Sequence, residues 1–373
     1  MTPDTRRIPI PNLRSLFPIG RCRMTTSDFI YQIDRAYQGL GIPTLYGTLS
    51  VLANKSVFFI GGRGTGKTRT VKTIPKIEGT YVSQWDTFTY QELSNYCKSL
   101  CNSSKVVENK HLVFKIEEFA TFSDYHKQLF LTVGSRLISD NRYVHVTSHS
   151  PFLNLQDCKL TMLIAIQPLL YNRLCSSYTE WEAISYDRFT KFVLLNPLRE
   201  KTIAVDLVPT LPRKIDQRVT LNENEVNLDV LVSMFSGHVS EGRATLYARD
   251  YAVAMARFMG AETVQQKHVN LFHQLFHPYL NSFAVLQMAE DLDSPVKVTT
   301  GSLKLLGEIG KYNDYVLKRK LANDLHVVER SVERETRRLL RAGLIEKPSP
   351  HAGRYRLSEN LRNFFTWYRG LLS

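Results

Sequence analysis

Long apolar runs and paired cysteines are what this 373-residue sequence lacks. No stretch of about 18 or more apolar residues occurs, so we expect no membrane-spanning helix. The cysteines are odd in number and have neither the spacing nor the histidine partners of a zinc site or a disulfide framework. They are Cys22, Cys97, Cys101, Cys158 and Cys175. Their scarcity predicts small core thiols in a protein of a reducing, intracellular compartment such as cytoplasm, nucleus or nucleoid.

Acidic residues are also scarce, and the deficit is uneven. The chain has 48 Lys and Arg against 35 Asp and Glu, a net charge of +13. Residues 311–373 alone hold 14 basic against 7 acidic residues, a surplus of 7. A basic terminal domain favours a polyanionic partner, most commonly nucleic acid. The alternative is a basic surface that only keeps the protein in solution.

The N-terminal residues 1–27 contain five arginines among the first 25 positions, against the single acid Asp4. Arginine-rich, acid-poor starts are typical of organelle transit peptides. Here four prolines interrupt any amphipathic helix, and there is no apolar segment of a secretory signal. We therefore predict an extended basic arm rather than a cleaved presequence.

Apolar runs and helical patterns alternate through the first half of the chain. We predict strands at 56–60, 80–83, 111–116, 143–147 and 191–195, with helices at 28–53, 68–74, 91–100 and 123–139. Alternating strands and helices predict an α/β fold with a parallel sheet covered on both faces. A proline-rich segment at 208–216 reads as a linker, so the core domain is predicted at 28–216. A mostly helical domain follows at 217–294, and a third domain at 295–373.

The stretch GGRGTGKTRT follows the first of these strands. Gly61, four further residues, then Gly66, Lys67 and Thr68 satisfy the phosphate-loop pattern G-x-x-x-x-G-K-[ST]. Glycines let backbone N–H groups converge on phosphate oxygens, and the lysine supplies a mobile charge. The threonine hydroxyl is a ligand for Mg²⁺. The predicted nucleotide-binding residues are Gly61, Gly62, Arg63, Gly64, Thr65, Gly66, Lys67, Thr68 and Arg69.

Hydrolysis also needs a carboxylate near the metal and a group that positions water. Glu117 and Glu118 directly follow the apolar strand HLVFKI, about 50 residues after the loop. Strand ends meet the phosphate crevice in sheets of this class, so both acids are candidates for the site. The alternative is that they are a solvated strand end.

These two motifs resemble those of the AAA+ ATPases, with GGRGTGKT as the phosphate loop and IEEF as the second acidic motif. The resemblance implies ATP and Mg²⁺ as cofactors, with Glu117 and Thr68 at the metal, Glu118 polarising the attacking water and Lys67 at the phosphates. The family usually has Asp where this chain has Glu117. That departure makes binding a firmer expectation than rapid hydrolysis.

The same resemblance implies further site residues. The family has a polar sensor after the strand that follows the acidic one, and YVHVTSHS places Ser148 there. Residues 240–269 are similar to a helical lid, in which Arg243 would be a second sensor. An arginine finger from a neighbouring subunit usually completes such sites. Candidates are Arg136, Arg142, Arg173 and Arg188, of which Arg173 is our choice.

The pattern of residues 302–358 is three short helices followed by two strands around Pro350–Gly353, the order of a winged-helix domain. Its third helix has Val332, Thr336, Leu339 and Leu340 on one side and a stripe of arginines on another. The predicted double-stranded DNA contacts are Arg330, Arg334, Arg337, Arg338, Arg341, Lys347 and Arg354. Nearby glutamates allow the alternative that these arginines are exposed salt-bridge partners of a protein-docking domain.

Core, lid and winged helix in this order resemble the origin-recognition and archaeal initiator ATPases. The resemblance implies an ATPase that assembles with other AAA+ subunits, as a homo- or hetero-oligomer. Its nucleotide state would control how it grips DNA in replication initiation or helicase loading. Two other hypotheses stay open: an AAA+ regulator of transposition or another mobile-element process, and a nucleotide-binding scaffold that barely hydrolyses ATP.

Overall fold

The computed structural model describes residues 25–61, 64–101, 106–147, 150–168, 170–171, 174, 187–194, 199–200, 209–211, 218–291, 300–312, 314–341, 344–358 and 362. Most of the predicted N-terminal arm therefore lies outside the described residues. In that part of the chain no helix is long and apolar enough to cross a membrane. The predicted domain boundaries at 216 and 294 stay predictions.

The first described elements are two helices where the sequence predicted one. Helix α1 (Thr26–Ala36) begins with a capping box, in which Thr25 and Asp28 satisfy each other's backbone N–H groups. Strand β1 (Tyr37–Gln38) then interrupts the helical pattern, and helix α2 (Gly41–Leu52) follows. Helix α2 is buried along nearly its whole length, which matches its lack of a polar face.

Five strands form the predicted parallel sheet. They are β2 (Ser56–Gly61), β3 (Thr80–Gln84), β5 (His111–Ile116), β8 (Lys159–Ile166) and β9 (Phe189–Leu194), in the spatial order β3-β5-β8-β2-β9. All residues of β2 and β9 are buried, as expected for parallel strands covered on both faces. The α/β prediction is confirmed by this sheet.

Helices connect these strands. Helix α3 (Lys67–Thr73) follows β2, α4 (Tyr90–Leu100) follows β3, and α5 (Asp124–Asp140) follows β5. The helix bounds agree with the sequence prediction to within one or two residues. Helix α3 leaves the carboxyl end of β2 and leads to the amino end of β3, and because all five strands of the sheet are parallel, its two edges are chemically distinct.

One strand that was predicted for the parallel sheet belongs to a different sheet. Strand β6 (Tyr143–Thr147) pairs antiparallel with β7 (Ser150–Gln156), and β7 also pairs with β4 (Val107–Glu108) in a separate three-stranded sheet. The strand that lies beside β5 in the parallel sheet is β8, which the sequence analysis missed. The patterns explain the error: β6 alternates, with Tyr143 buried and Val144 exposed, whereas β8 is a nearly continuous buried apolar run.

Three further helices pack against this core. They are α6 (Asp229–Ser236), α7 (Glu241–Phe258) and α8 (Gln266–Asp291). Tyr251 of α7 stacks on Tyr46 of α2 with ring centroids 5.5 Å apart, and Tyr279 of α8 stacks on Phe192 of β9 at 4.6 Å. The helical segment thus shares one continuous aromatic core with α2 and the end strand of the sheet.

The C-terminal elements are helix α9 (Thr300–Ile309), strand β11 (Val316–Leu317), helix α10 (Lys318–Asp324), helix α11 (Glu329–Arg341) and strands β12 (Ile345–Glu346) and β13 (Arg354–Leu357). The strands form an antiparallel sheet in the order β11-β13-β12. Leu306, Leu321 and Leu339 are fully buried between the three helices. A two-residue strand, β10 (Arg199–Glu200), pairs with β1 elsewhere in the chain.

Candidate functional site

The predicted phosphate loop leaves the carboxyl end of β2 and enters α3. Gly64 and Gly66 have φ angles of 76° and 83°, in the left-handed region that favours glycine. A Cβ on Gly61 would lie 2.3 Å from Oγ1 of Thr65, so the turn closes only with glycine there. Thr65 and Lys67 are buried. Gly62 and Arg63 lie outside the described residues.

The structure brings the loop together with the acidic motif. The hydroxyl of Thr68 donates a hydrogen bond to the backbone carbonyl of Glu117, at 3.1 Å. Strands β2 and β5 are not neighbours, because β8 lies between them. The Thr68–Glu117 contact therefore spans the width of one strand at the carboxyl edge of the sheet. A hydroxyl and a carboxylate group at this place fit the oxygen ligands that Mg²⁺ takes.

The two acids differ in their surroundings. Glu117 is buried, and its Oε2 lies 2.8 Å from Nζ of Lys72, whereas Glu118 is exposed. The adjacent carboxylates thus point into different environments, as strand alternation predicts. Lys72 was not among the predicted site residues. It lies four positions after Thr68, on the same face of α3, and that spacing is a signal that helical geometry could have supplied.

A second lysine links α3 to the acidic strand. Nζ of Lys115 donates to the carbonyl of Ile74 at 2.6 Å and approaches the carbonyl of Lys72 at 3.4 Å. Burial lowers the pKa of Lys115 to about 8, although Glu117 opposes this effect. Lys115 thus binds the C-terminal carbonyls of α3 and helps to hold this helix against β5.

Arg69 was predicted to bind the nucleotide with the rest of the loop. Its guanidinium lies over the ring of Tyr37, 4.8 Å from the centroid. Tyr37 belongs to β1, which pairs with Glu200 of β10. Arg69 therefore connects α3 to the segment that follows α1.

The predicted polar sensor, Ser148, lies outside the described residues. The reason for choosing it does not hold, because the strand before it belongs to the three-stranded sheet. Gln167 directly follows β8, whose last residue, Ile166, is level with Ile60 of β2. It is half-buried, and it is the polar residue that sequence reasoning missed at this edge. The signal was the apolar run LTMLIAI ending in a polar side chain.

The predicted second sensor, Arg243, lies apart from the phosphate loop in this structure, and its place in the nucleotide site stays a prediction. Nε of Arg243 lies 3.2 Å from Oδ2 of Asp187, and Nη1 donates to the carbonyl of Asp187 at 2.9 Å. Asp187 precedes β9, whose first residue is level with Ser56, the first residue of β2. At roughly 3.3 Å per residue, the five steps from Ser56 to Gly61 span about 17 Å. Arg243 thus lies at the amino edge of the sheet, opposite the loop.

The four arginine-finger candidates lie in different parts of the chain. Arg173, our choice, lies outside the described residues. Nε of Arg188 donates to the hydroxyl of Ser139 at 2.7 Å, beside the start of β9. Arg136 and Arg142 lie at the C-terminal end of α5 and just beyond it, the end that returns to the amino edge. No described candidate lies beside the phosphate loop of its own chain.

The arginines of α11 face solvent but are partly engaged with glutamates. Arg330, like Arg354 on β13, is exposed. Nη2 of Arg337 donates to Glu333 at 2.6 Å, and this bond, with Lys318 nearby, lowers the pKa of Glu333. The Arg334 side chain, 69% exposed, approaches Glu335 at 3.3 Å. The side chains of Arg334 and Arg337 are each 69% exposed, so their guanidinium groups stay accessible.

Arg338 differs from the other predicted DNA contacts. It donates to Oε1 of Glu335 at 3.2 Å, and Glu335 is buried and accepts a hydrogen bond from Ser302 at 2.7 Å. Arg338 therefore neutralises a buried carboxylate that ties α11 to α9. Lys347 lies over the ring of Tyr355 and donates to the carbonyl of Pro350 at 3.5 Å. The side chain of Arg341 lies outside the described residues.

The described part of the chain contains no further metal site and no reactive thiol. There, no group of three or more His, Cys, Asp or Glu side chains could hold a metal ion. Cys97, Cys101 and Cys158 are free thiols. Burial raises the pKa of Cys97 to about 12, which keeps it protonated and unreactive.

No family model matches the chain, and no curated protein matches it. Among solved structures it is similar to the crystal structure of NtrX from Brucella abortus in complex with ADP, with 8% sequence identity and a TM-score of 0.26. That similarity covers 88% of this chain and 70% of the other. At this TM-score it carries no argument. The geometry itself defines an α/β core with a five-stranded parallel sheet and a phosphate-loop sequence at its carboxyl edge.

Proposed function

We propose that this chain is an AAA+ type ATPase that binds ATP with Mg²⁺ at the loop from Gly61 to Thr68. The observation that carries the proposal is the hydrogen bond from Thr68 to the carbonyl of Glu117. It joins a complete phosphate-loop sequence to the acidic strand end that hydrolysis needs. Neither motif alone requires the other to be near.

Each residue has a role that follows from its chemistry. The backbone N–H groups around Gly64 and Gly66 bind phosphate oxygens, and Lys67 adds a positive charge. Thr68 and Glu117 would hold the Mg²⁺ ion, which supplies charge neutralisation for the phosphates. Exposed Glu118 accepts a proton from the attacking water, and Gln167 orients that water from the end of β8.

The proposal is tested by ATP affinity and turnover in Lys67→Ala, with Lys98→Ala, an exposed lysine of α4, as the matched control. We expect Lys67→Ala to weaken ATP binding at least 10-fold, because it removes charge-assisted hydrogen bonds. Lys98→Ala should bind ATP as the unmodified protein does. Equal affinities in all three proteins would overturn the proposal.

We also propose that the C-terminal elements are a winged-helix domain that binds duplex DNA in a nucleotide-dependent way, as replication initiators and helicase loaders do. The order of α9, β11, α10, α11, β12 and β13 supports this, as do the exposed Arg330, Arg334 and Arg337. The double variant Arg334→Gln and Arg337→Gln should lower the salt dependence of DNA binding by about two counterions. An unchanged salt slope would indicate a protein partner instead.

A second function is favoured by one contact. Lys72 holds the carboxylate of Glu117 at 2.8 Å, so the metal must compete with an ion pair. A scaffold that binds nucleotide and hydrolyses it little would have such a site. ATP binding with turnover that stays negligible when duplex DNA is added would select this function.

A further inference from the structure

A cavity of about 300 Å³ opens at the amino edge of the parallel sheet. Its walls come from the end of α2 at Leu52, the turn before β3 at Ile77 and Gly79, and the start of β5 at His111. Because β3 and β5 run from this cavity toward the carboxyl edge, the cavity and the phosphate loop lie on opposite edges of the sheet. It is therefore a separate place from the proposed nucleotide site.

Two arginines, Arg218 and Arg257, line this cavity with one carboxylate, Glu78. Burial, and then the charge of Lys159, lower the pKa of His111 to about 4, so its imidazole is neutral at neutral pH. The ionised groups of the lining therefore sum to a positive charge. A positive, partly enclosed space favours an anion over a neutral or cationic ligand.

Arg257 is the group that points to a ligand. It lies in the last turn of α7, and its Nε atom is buried and has no hydrogen-bond partner. A buried donor without an acceptor is unfavourable, and most such groups in proteins are satisfied. The half-buried Arg257 side chain lines the cavity, so a carboxylate or phosphate bound there can pair with its guanidinium group.

The remaining walls fit an apolar group attached to the anion. Val51, Leu52 and Ile77 supply aliphatic surface. Gly79 has a φ of 78°, and no atom lies within 4 Å of the place where its Cβ would be. The turn therefore leaves the entrance open beside the arginines.

We propose that this cavity binds a small organic anion, a phosphate ester or a carboxylate that carries a short apolar group. The arginines bind its oxygens, and the aliphatic wall covers its apolar part. Glu78 opposes binding through like-charge repulsion, so its removal strengthens the complex.

The test uses phenyl phosphate and benzoate, which share the apolar ring and differ in the oxyanion, with affinities measured by calorimetry on the full chain. We expect at least one to bind, with Arg257→Gln weakening the complex about 10-fold or more. Glu78→Gln, an exposed change that does not disturb the core, should strengthen it about threefold. Arg249→Gln, on the exposed face of the same helix, is the matched control and should have no effect.

Preference for one probe identifies the oxyanion class of the natural ligand. The proposal is overturned when neither probe binds, or when both Arg257→Gln and Glu78→Gln leave the affinity unchanged. It is also overturned when Lys67→Ala abolishes binding, because the probe then occupies the phosphate loop. The Glu78→Gln variant keeps the test decisive even if Arg257→Gln fails to fold.

Discussion

The two edges of the parallel sheet carry different kinds of chemistry. At the carboxyl edge, glycines, Lys67 and Thr68 come from one short stretch, and a single hydrogen bond joins them to Glu117. At the amino edge, Arg243, Asp187 and His111 come from distant parts of the chain. The first edge is built from local sequence and the second from packing. The comparison shows why a motif reveals one edge while only the assembled structure reveals the other.

Among the proposed changes, Gly61→Ala should have the largest effect on nucleotide binding at the carboxyl edge. The new Cβ would lie 2.3 Å from Oγ1 of Thr65 and 3.2 Å from the carbonyl of Leu194, so the loop must move. We expect nucleotide affinity to fall about 10- to 100-fold, because a displaced loop loses at least one N–H hydrogen bond to a charged phosphate, worth about 1.5–3 kcal/mol. Gly237→Ala is the control, since its φ is −75° and nothing lies near its Cβ. Equal affinities in both variants would contradict a closed loop.

His238 makes the stability of the contact between β9 and helix α8 depend on pH, because it bonds Lys191 of β9 and Leu280 of α8. Burial, and then the charge of Lys191, lower the pKa of this histidine to about 3. Its Nδ1 accepts from the backbone N–H of Lys191, and Nε2 donates to Leu280, so no position is left for a second proton. The neutral ring is stabilising above the unfolded pKa of about 6.5, and that stability is lost as pH falls toward 3.

The expected loss for His238 is about 2 kcal/mol of unfolding free energy between pH 7 and pH 5. Urea unfolding at the two pH values measures it. His238→Asn should remove this part of the pH dependence, whereas His351→Asn, an exposed control, should keep it. A pH response that is the same in all three proteins would show that His238 is not the group that titrates.

Arg243→Ala tests the amino edge directly. Its pair with Asp187 is about one-third exposed, so we expect a loss of about 1 kcal/mol of unfolding free energy. ATP affinity and turnover should stay within twofold of the unmodified protein, because the guanidinium lies at the far edge of the sheet. A loss of turnover of 10-fold or more, at unchanged stability, would instead place Arg243 at the nucleotide during catalysis.

The smallest expected effect concerns Lys72→Met. This change removes the cation that pairs with Glu117 but keeps an aliphatic side chain at this position of α3. Lys72 is half-exposed, and a solvent-screened ion pair worth about 0.5–1 kcal/mol corresponds to half-maximal ATPase activity at about two- to fivefold less Mg²⁺. Lys76→Met, another exposed lysine after α3, serves as the control. A Mg²⁺ requirement that does not fall would mean that Lys72 and the metal do not compete.

Sequence reasoning was most reliable where one short segment contains its own structural cause. The strand before the loop, the apolar strand HLVFKI and the helices between them all lie where the pattern placed them. It failed at β6 and β8, because an alternating strand and a buried one can both be short and apolar. Gln167 was missed for the same reason, since its position depends on which strand lies beside β5.

The site shows the same division. Lys67, Thr68 and Glu117 follow from motif spacing, but the ion pair of Lys72 with Glu117 depends on a contact across 45 positions of the chain. The helix of Arg243 has the expected pattern, yet in the structure this arginine lies beside Asp187 at the opposite edge of the sheet. Resemblance of a segment does not specify which surface of the core it covers.

By itself, the amino-acid sequence determined the phosphate loop, the alternation of strands and helices and the basic character of the C-terminal elements. These properties depend on glycine geometry, hydrophobic period and charge, each of which acts within a few residues. The tertiary structure alone decided the order of the strands, the partner of Glu117 and the position of Arg243. It also created the cavity at Arg257, because a cavity is the space between elements that are far apart in the chain.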